Sequence, residues 1–194
     1  MQEATLDLAL GEELHGWARE LMPLPRSLTG DAVRSTLRTL SGHLGSGQAF
    51  SIHEVPTGSE AFDWRVPDEW NLRRATLVGP DGTVVADTDV HTLHVVGYSE
   101  PVDLELELEE LEPHLHSIPE LPDAIPYVTS YYERRWGFCL THRARDALRP
   151  GRYRALIDAT LEPGSLSYGD LVLPGDSTDE VLISSYVCHP SMAN

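Results

Sequence analysis

Lysine is missing altogether from this 194-residue chain: its 14 basic residues are all arginine, set against 31 acidic ones, for a formal net charge of −17. The all-arginine count is a mark of genomic base composition, and its physical effect is a surface of planar, always-charged forks. The shortage of positive charge argues against a nucleic-acid partner, because phosphate backbones are held by clustered cations. It disfavours an anionic membrane surface for the same reason. Long apolar runs are missing as well. Nothing approaches the roughly 20 residues that span a bilayer, and no basic-then-apolar leader opens the chain. Cysteine is scarce, with only Cys139 and Cys188. Two cysteines far apart do not make a secreted disulfide framework, so the expected compartment is the cytoplasm with both thiols reduced. Internal repeats and low-complexity tracts are absent. What remains, at 41% hydrophobic residues, suffices for the core of one ordinary domain or of one and a half small ones.

Helical periodicity opens the chain. Leu10, Leu14, Trp17 and Leu21 fall at i, i+4, i+7 and i+11, which predicts a helix that packs by this face and ends before Pro23. Thr29, followed by Gly30 and Asp31, is the expected N-cap of a second helix. Val33, Leu37, Leu40 and Leu44 mark its apolar face, and it is expected to run to about Ser41, where Gly42, Gly45 and Gly47 break it. From Phe50 to Val55 apolar and polar residues alternate, predicting a strand with His53 on its solvated side. Leu77 to Val85 is expected to form a hairpin closed by Pro80, Asp81 and Gly82. Asp103 to Glu109 alternates strictly, whereas Leu104, Leu108, Leu111 and Leu115 would line a helix; the expectation is strand first and helix after about Leu108. The glutamates there make a solvated face. Thr141 is the expected cap of a short helix through Ala147, and residues 153–160 and 166–173 return to strand character around Glu162, Pro163 and Gly164.

Four histidines within this middle region, His91, His94, His114 and His116, invite a metal reading. Their spacings are not those of a structural zinc finger and no cysteine pair accompanies them. Histidines hydrogen-bonded to nearby backbone are the expectation. Residues 127–140 (YVTSYYERRWGFCL) are strongly aromatic. Such a stretch serves either as a platform on which rings and cations stack or as the core of a small β domain.

At the far end, Val181, Leu182, Ile183, Tyr186 and Val187 form a short apolar run rich in β-branched residues. It reads as a strand buried on both faces of a parallel sheet. Cys188, His189 and Pro190 follow directly. In an open α/β sheet, ligands lie beyond the carboxyl ends of strands, so this tip is where a metal ligand or catalytic group is expected.

YVCHPSMAN resembles the first metal-binding segment of bacterial zinc aminopeptidase-like proteins, relatives of the dizinc aminopeptidases often encoded near polysaccharide-biosynthesis genes. The blocks LPRSLTGDAVRSTL, HEVPTGSEAFDWRVPDEW, LHVVGYSEPV, IPYVTSYYERRWGFCLTHRARDAL and LEPGSLSYGDLVLPG extend the resemblance over nearly the whole chain. Together they are specific, where CHP alone is weak. The resemblance implies an α/β fold: a partial phosphorylase/hydrolase-like aminopeptidase domain formed by residues 1–63 and 161–194, interrupted by an inserted, mainly β domain at 64–160. It implies that this chain is the N-terminal portion of such a protein, with further strands, ligands and often a winged helix following. His189 is the one metal ligand that carries over, and no catalytic residue does. Arg26, in the RSLTG context, matches a loop on the active-site side of the family; a solvated or structurally paired arginine is the alternative. The implied cofactor is zinc, two ions in the full-length family, which a chain offering His189 alone is not expected to bind tightly. The implied reaction is hydrolysis of an amide next to a free amine on a peptide or amino-sugar substrate, the fragment itself being inactive. The competing reading is a non-catalytic module whose β insert binds a partner or saccharide. Nucleic acid and membrane are not expected partners, and a homo-oligomer is left open.

Overall fold

The computed structural model of the chain describes residues 8–44 and 50–192. Two helices lead, α1 (Leu8–Leu21) and α2 (Asp31–Leu44), each formed on the leucine spacing seen in the sequence. Pro23 and Pro25 follow the end of α1. α2 runs through Gly42 to Leu44, three residues beyond the expected end, and Gly45 and Gly47 lie outside the described residues. Then come β1 (Phe50–Pro56), β2 (Glu60–Ala61), β3 (Trp64–Arg65), β4 (Glu69–Val78) and β5 (Val84–Asp87). The order continues with β6 (Val102–Glu107), α3 (Leu108–Leu111), β7 (Leu115–His116), β8 (Phe138–Cys139), α4 (His142–Asp146), β9 (Arg152–Glu162) and β10 (Ser165–Leu171).

The main sheet is antiparallel with strand order β5-β4-β9-β6. β9 lies at its centre. Tyr153, Ala155, Ile157 and Ala159 point inward at period two, with Arg152, Arg154 and Asp158 between them less buried. β4 changes phase midway: Trp70 packs inward in its first half and Ala75 and Leu77 in its second. One extra residue causes the switch. The register against β9 slips between Leu72 and Arg74, so Arg73 bulges outward, where its Nε donates to Asp158 Oδ2 at 2.8 Å. A bulge adds one residue and inverts the inward set beyond it. The largest core cluster runs from Trp70 to Ala159 and includes Leu106, Leu111, Phe138 and Leu140. β1 and β10 form a separate antiparallel ribbon, Phe50 opposite Leu171 and Pro56 opposite Ser165, and α2 packs against it.

Several expectations hold in detail. The hairpin at 77–85 forms, with Gly82 at φ +81° in its turn. The strand-to-helix switch falls at Leu108, and Thr141 Oγ1 caps α4 by accepting the Ala144 N–H at 3.1 Å. Others are corrected. Thr29 is not the cap of α2: its hydroxyl instead accepts the Trp70 N–H and bonds the Tyr98 hydroxyl at 2.5 Å. The Asp31 N–H is capped from across the molecule by Asn71 Oδ1 at 2.7 Å. Gly30 permits this approach. Its φ is +102°, and a Cβ there would sit 2.2 Å from the Trp70 carbonyl oxygen, so no other residue fits. The face of α1 packs only in part, since Leu21 is buried while Leu10 and Leu14 remain 49% and 47% exposed. Residues 181–187 do not form the expected strand. They lack a strand assignment and Val181, Leu182 and Ile183 are 89%, 91% and 89% exposed, because no described strand lies beside them to complete a ladder. The chain thus combines helices and sheets as an α/β protein, but its long pairings are antiparallel; among the described residues parallel pairing is confined to the short β7–β8 pair and the isolated Gly97–Thr129 bridge.

One carboxylate joins the pieces. Glu69, with its side chain 12% exposed, accepts Arg34 Nη1 at 3.0 Å and also Arg34 Nη2 from α2. It further accepts Asn71 Nδ2 at 2.9 Å and the backbone N–H of Ser165, where β10 begins, at 2.9 Å. Arg34 holds this carboxyl down at about 2, against a burial cost that pushes the other way, with Ser165 and Asn71 adding to the depression. Because the folded value lies below the ordinary 4.5, the stability it supplies is complete above that ordinary value and is lost as pH falls toward 2. Glu69→Gln should cost about 2 kcal/mol at neutral pH, between the ~1 kcal/mol of exposed pairs and the ~3–5 kcal/mol of buried ones. It should also flatten the acid limb of the stability curve, measured by urea unfolding from neutral pH downward; an unchanged acid limb would remove Glu69 from this role.

The bare run at 181–187 generates a second prediction. An exposed apolar run with unpaired backbone templates edge-to-edge pairing. The chain should therefore self-associate through it despite a charge of −17, and Leu182→Asp with Ile183→Asp, or a chain ending at Pro174, should be more monomeric. Size-exclusion chromatography with light scattering at equal concentrations compares them, and a clean monomer for the unaltered chain would contradict the expectation.

Candidate functional site

The loop leaving α1 turns sharply through Pro23 and Pro25 and buries Arg26, which is 4% exposed. Arg26 Nη1 donates to the carbonyl of Leu21, satisfying one of the carbonyls that a helix end leaves open. Arg26 Nε donates to the carbonyl of His189 at 2.9 Å. The arginine thus ties the end of α1 to the tip that follows the apolar run. Burial lowers its pKa, opposed by neighbouring Cys188. Burial in turn pushes the Cys188 thiol up, against the pull of its own backbone and of Arg26.

His189 is held on three sides. Its backbone is fixed by Arg26, and its ring meets Tyr127 edge-on at 5.2 Å and 82°. Tyr186 stands on another side at 6.0 Å and 66°. The ring's Nδ1 is buried and makes no hydrogen bond among the described residues. Beyond it Pro190 is buried, and Ser191, at φ +50°, bonds through its hydroxyl to Thr92. Thr92 sits in a single 3₁₀ turn, Thr92–His94, capped by His91, whose Nδ1 accepts the Leu93 N–H at 3.2 Å.

Two cavities flank Arg26. One is a groove of about 380 Å³ lined by Leu14, Trp17, Leu21, Leu40, Tyr186 and His189. The other is a void of about 10 Å³ among Ser27, Trp70, Thr92, Gly97, Tyr127 and Pro190, and the buried Ser27 hydroxyl there makes no hydrogen bond among the described residues. That volume is the size of one water molecule. A larger groove of about 570 Å³ lies between the β4–β5 turn and the segment after α4, lined by Pro80, Asp81, Val84, Leu148 and Arg149. It gathers no metal-ligand set, so size alone does not mark the chemistry.

The remaining candidates fall elsewhere. His94 Nδ1 donates to the Cys139 carbonyl at 2.9 Å, and His114 Nδ1 to the Trp136 carbonyl at 3.0 Å while its ring stacks on the indole at 3.7 Å. Burial lowers the pKa of His91 and of His116, with His94 adding to the first and Arg135 and Arg145 to the second. These histidines are occupied with backbone and packing. Among the described residues no three His, Cys, Asp or Glu side chains gather into a metal-holding group. His53 lies on the exposed ribbon, paired with Asp170 and stacked on Tyr168. Of the aromatic stretch, Phe138, Cys139 and Leu140 are core, whereas Tyr127 reaches the His189 tip. Sequence reasoning missed Tyr127, Thr92 and Ser27 as neighbours of that tip. The aromatic density of 127–140 was the one available signal.

Fold and tip together belong to a chain of mixed helices and sheets, and comparison with known proteins shows what it is similar to. Residues 69–160 match a family model described as Domain of unknown function (DUF2172). Over 184 residues the chain is 44% identical to a Clostridium acetobutylicum protein named "Putative polysaccharide biosynthesis protein with aminopeptidase-like domain", covering 95% of this chain and 42% of that protein. It also superposes with TM-score 0.89 and 43% identity on the crystal structure of a "putative peptidase" from Clostridium acetobutylicum, over 95% of this chain and 43% of the other. The chain therefore spans about 42% of the length of the relative it matches. Among the described residues, no helix is long and apolar enough to cross a membrane.

Proposed function

We propose that the chain is part of a zinc-dependent, aminopeptidase-like hydrolase that cleaves an amide next to a free amine on a peptide or amino-sugar substrate, with His189 as one metal ligand. The observation that carries this reading is the His189 tip. An imidazole stands at the end of the exposed apolar run, with its backbone carbonyl anchored by a buried arginine and its buried Nδ1 without a hydrogen bond among the described residues. Imidazole is a common zinc donor, and the similarity to proteins named as peptidase and aminopeptidase-like supports the same direction.

Bound zinc in such a site polarises the scissile carbonyl and lowers the pKa of water. The part played by this chain is orientation. Arg26 sets the position of the His189 backbone, Tyr127 and Tyr186 limit the rotation of its ring, and the Thr92–Ser191 bond holds the residues beyond it. The groove beside His189 is lined by the apolar side chains of Leu14, Trp17, Leu21 and Leu40. One imidazole does not make a catalytic centre, and the chain by itself is proposed to be inactive.

Calorimetry and kinetics test this together. The chain alone should bind zinc no better than its His189→Ala variant. In a protein carrying this segment at the full length of its relatives, His189→Ala should lower the zinc-dependent hydrolysis of aminoacyl arylamides on the order of 100-fold or more, and N-acetylated substrates should be refused. Tight zinc binding by the chain that survives His189→Ala, or full activity of the variant, would overturn the assignment.

A further inference from the structure

The segment 69–160 matches the model of a domain of unknown function, and its residues reach the His189 tip. We propose that Tyr127 is a positioning residue for His189, so that this segment serves as one wall of the site; the proposal deepens the functional reading above and rests on it for the purpose of the wall.

The Tyr127 hydroxyl bonds the Tyr131 hydroxyl at 2.7 Å. Tyr131 meets the Tyr98 ring edge-on at 5.1 Å and 88°, and the Tyr98 hydroxyl bonds Thr29 at 2.5 Å. Tyr98 is buried, stacks on Trp70 at 5.9 Å and adopts φ +64°. A bulky residue holds that left-handed backbone only where its surroundings over-determine it. A relay of hydroxyl and ring contacts therefore fixes Tyr127 against both the start of α2 and the buried end of β4. Tyr127 in turn presents its ring to the edge of His189 at 5.2 Å and 82°, a T-shaped pair of the favoured kind.

Backbone and ring of His189 are thus fixed by different parts of the chain. Arg26 from the α1–α2 loop holds the carbonyl, and Tyr127 from the 69–160 segment holds the imidazole. A metal ligand loses affinity when its ring orientation is left free, which is why neighbouring groups that orient such rings matter nearly as much as the ligands. Tyr186, also beside the ring, is 70% exposed and constrains less.

The test is nuclear magnetic resonance on the full, metal-free chain. The His189 ring signals are assigned by their disappearance in His189→Asn, and then followed in Tyr127→Phe, Tyr127→Leu and Tyr131→Phe. Tyr127→Phe keeps the ring but loses the bond to the Tyr131 hydroxyl, so it should retain a weakened ring-current displacement of those signals, as Tyr131→Phe should. Tyr127→Leu should move them to the position of a solvent-exposed histidine while core methyl signals stay dispersed. A merely structural role would shift core and melting temperature together and leave His189 in place. Unmoved His189 signals in a cooperatively folded Tyr127→Leu chain overturn the proposal. If that variant does not fold, Tyr131→Phe decides: loss of the hydroxyl relay should weaken the displacement, and no change overturns the proposal. Because no metal is present, signals that move as expected alongside a failed zinc assay would sink the functional reading and leave the packing role of Tyr127 standing.

Discussion

The Glu69 carboxylate gathers Arg34 from α2, Asn71 from its own strand and the N–H of Ser165 from the start of β10. These groups come from three separated stretches, and the geometry leaves little slack. Gly164 lies so close that a Cβ there would sit 2.5 Å from Glu69 Oε2, and Gly30 is pressed as tightly against the Trp70 carbonyl. Two glycines without side chains thus let helix, sheet and ribbon converge on one half-buried ion pair. Its energy exceeds that of a surface pair because Arg34 is satisfied by Asp31 as well and the carboxylate accepts several donors at once.

The site depends on this junction. Thr29, one residue before Gly30, bonds both the Trp70 N–H and the Tyr98 hydroxyl, so the loop that carries Arg26 and Ser27 is referenced to the same point of β4. From there the aromatic relay runs through Tyr98, Tyr131 and Tyr127 to His189. The tip at 188–192 has anchors of its own in Arg26 and Thr92, while the run before it lies open. Rigid support thus surrounds an imidazole on a segment that otherwise has little cover.

Much of the local structure is legible in the sequence, because local structure obeys periodicity. The leucine spacing gives both helices, alternation gives β1 and β6, strand character gives β9, and the Pro80-Asp81-Gly82 turn gives the hairpin. Contacts between distant residues are not legible in this way. Asn71 replaces Thr29 as the partner of the α2 N-terminus from 40 residues away, and the bulge at Arg73 exists only against β9. The run at 181–187 has strand composition, but a strand needs a neighbour, and composition does not supply one. Of the site, His189 and the loop around Arg26 are apparent from resemblance to a known family. That Arg26 holds the His189 carbonyl, and that Tyr127 holds its ring, requires the fold.

The central claim is that this framework presents His189 as a metal ligand. X-ray data collected on either side of the zinc absorption edge, from zinc-soaked crystals of a protein carrying this segment at its relatives' full length, address it without reference to activity. An anomalous peak is expected at about 2.0–2.1 Å from an imidazole nitrogen of His189. A zinc peak at His91, His94, His114 or His116, with none at His189, would contradict it.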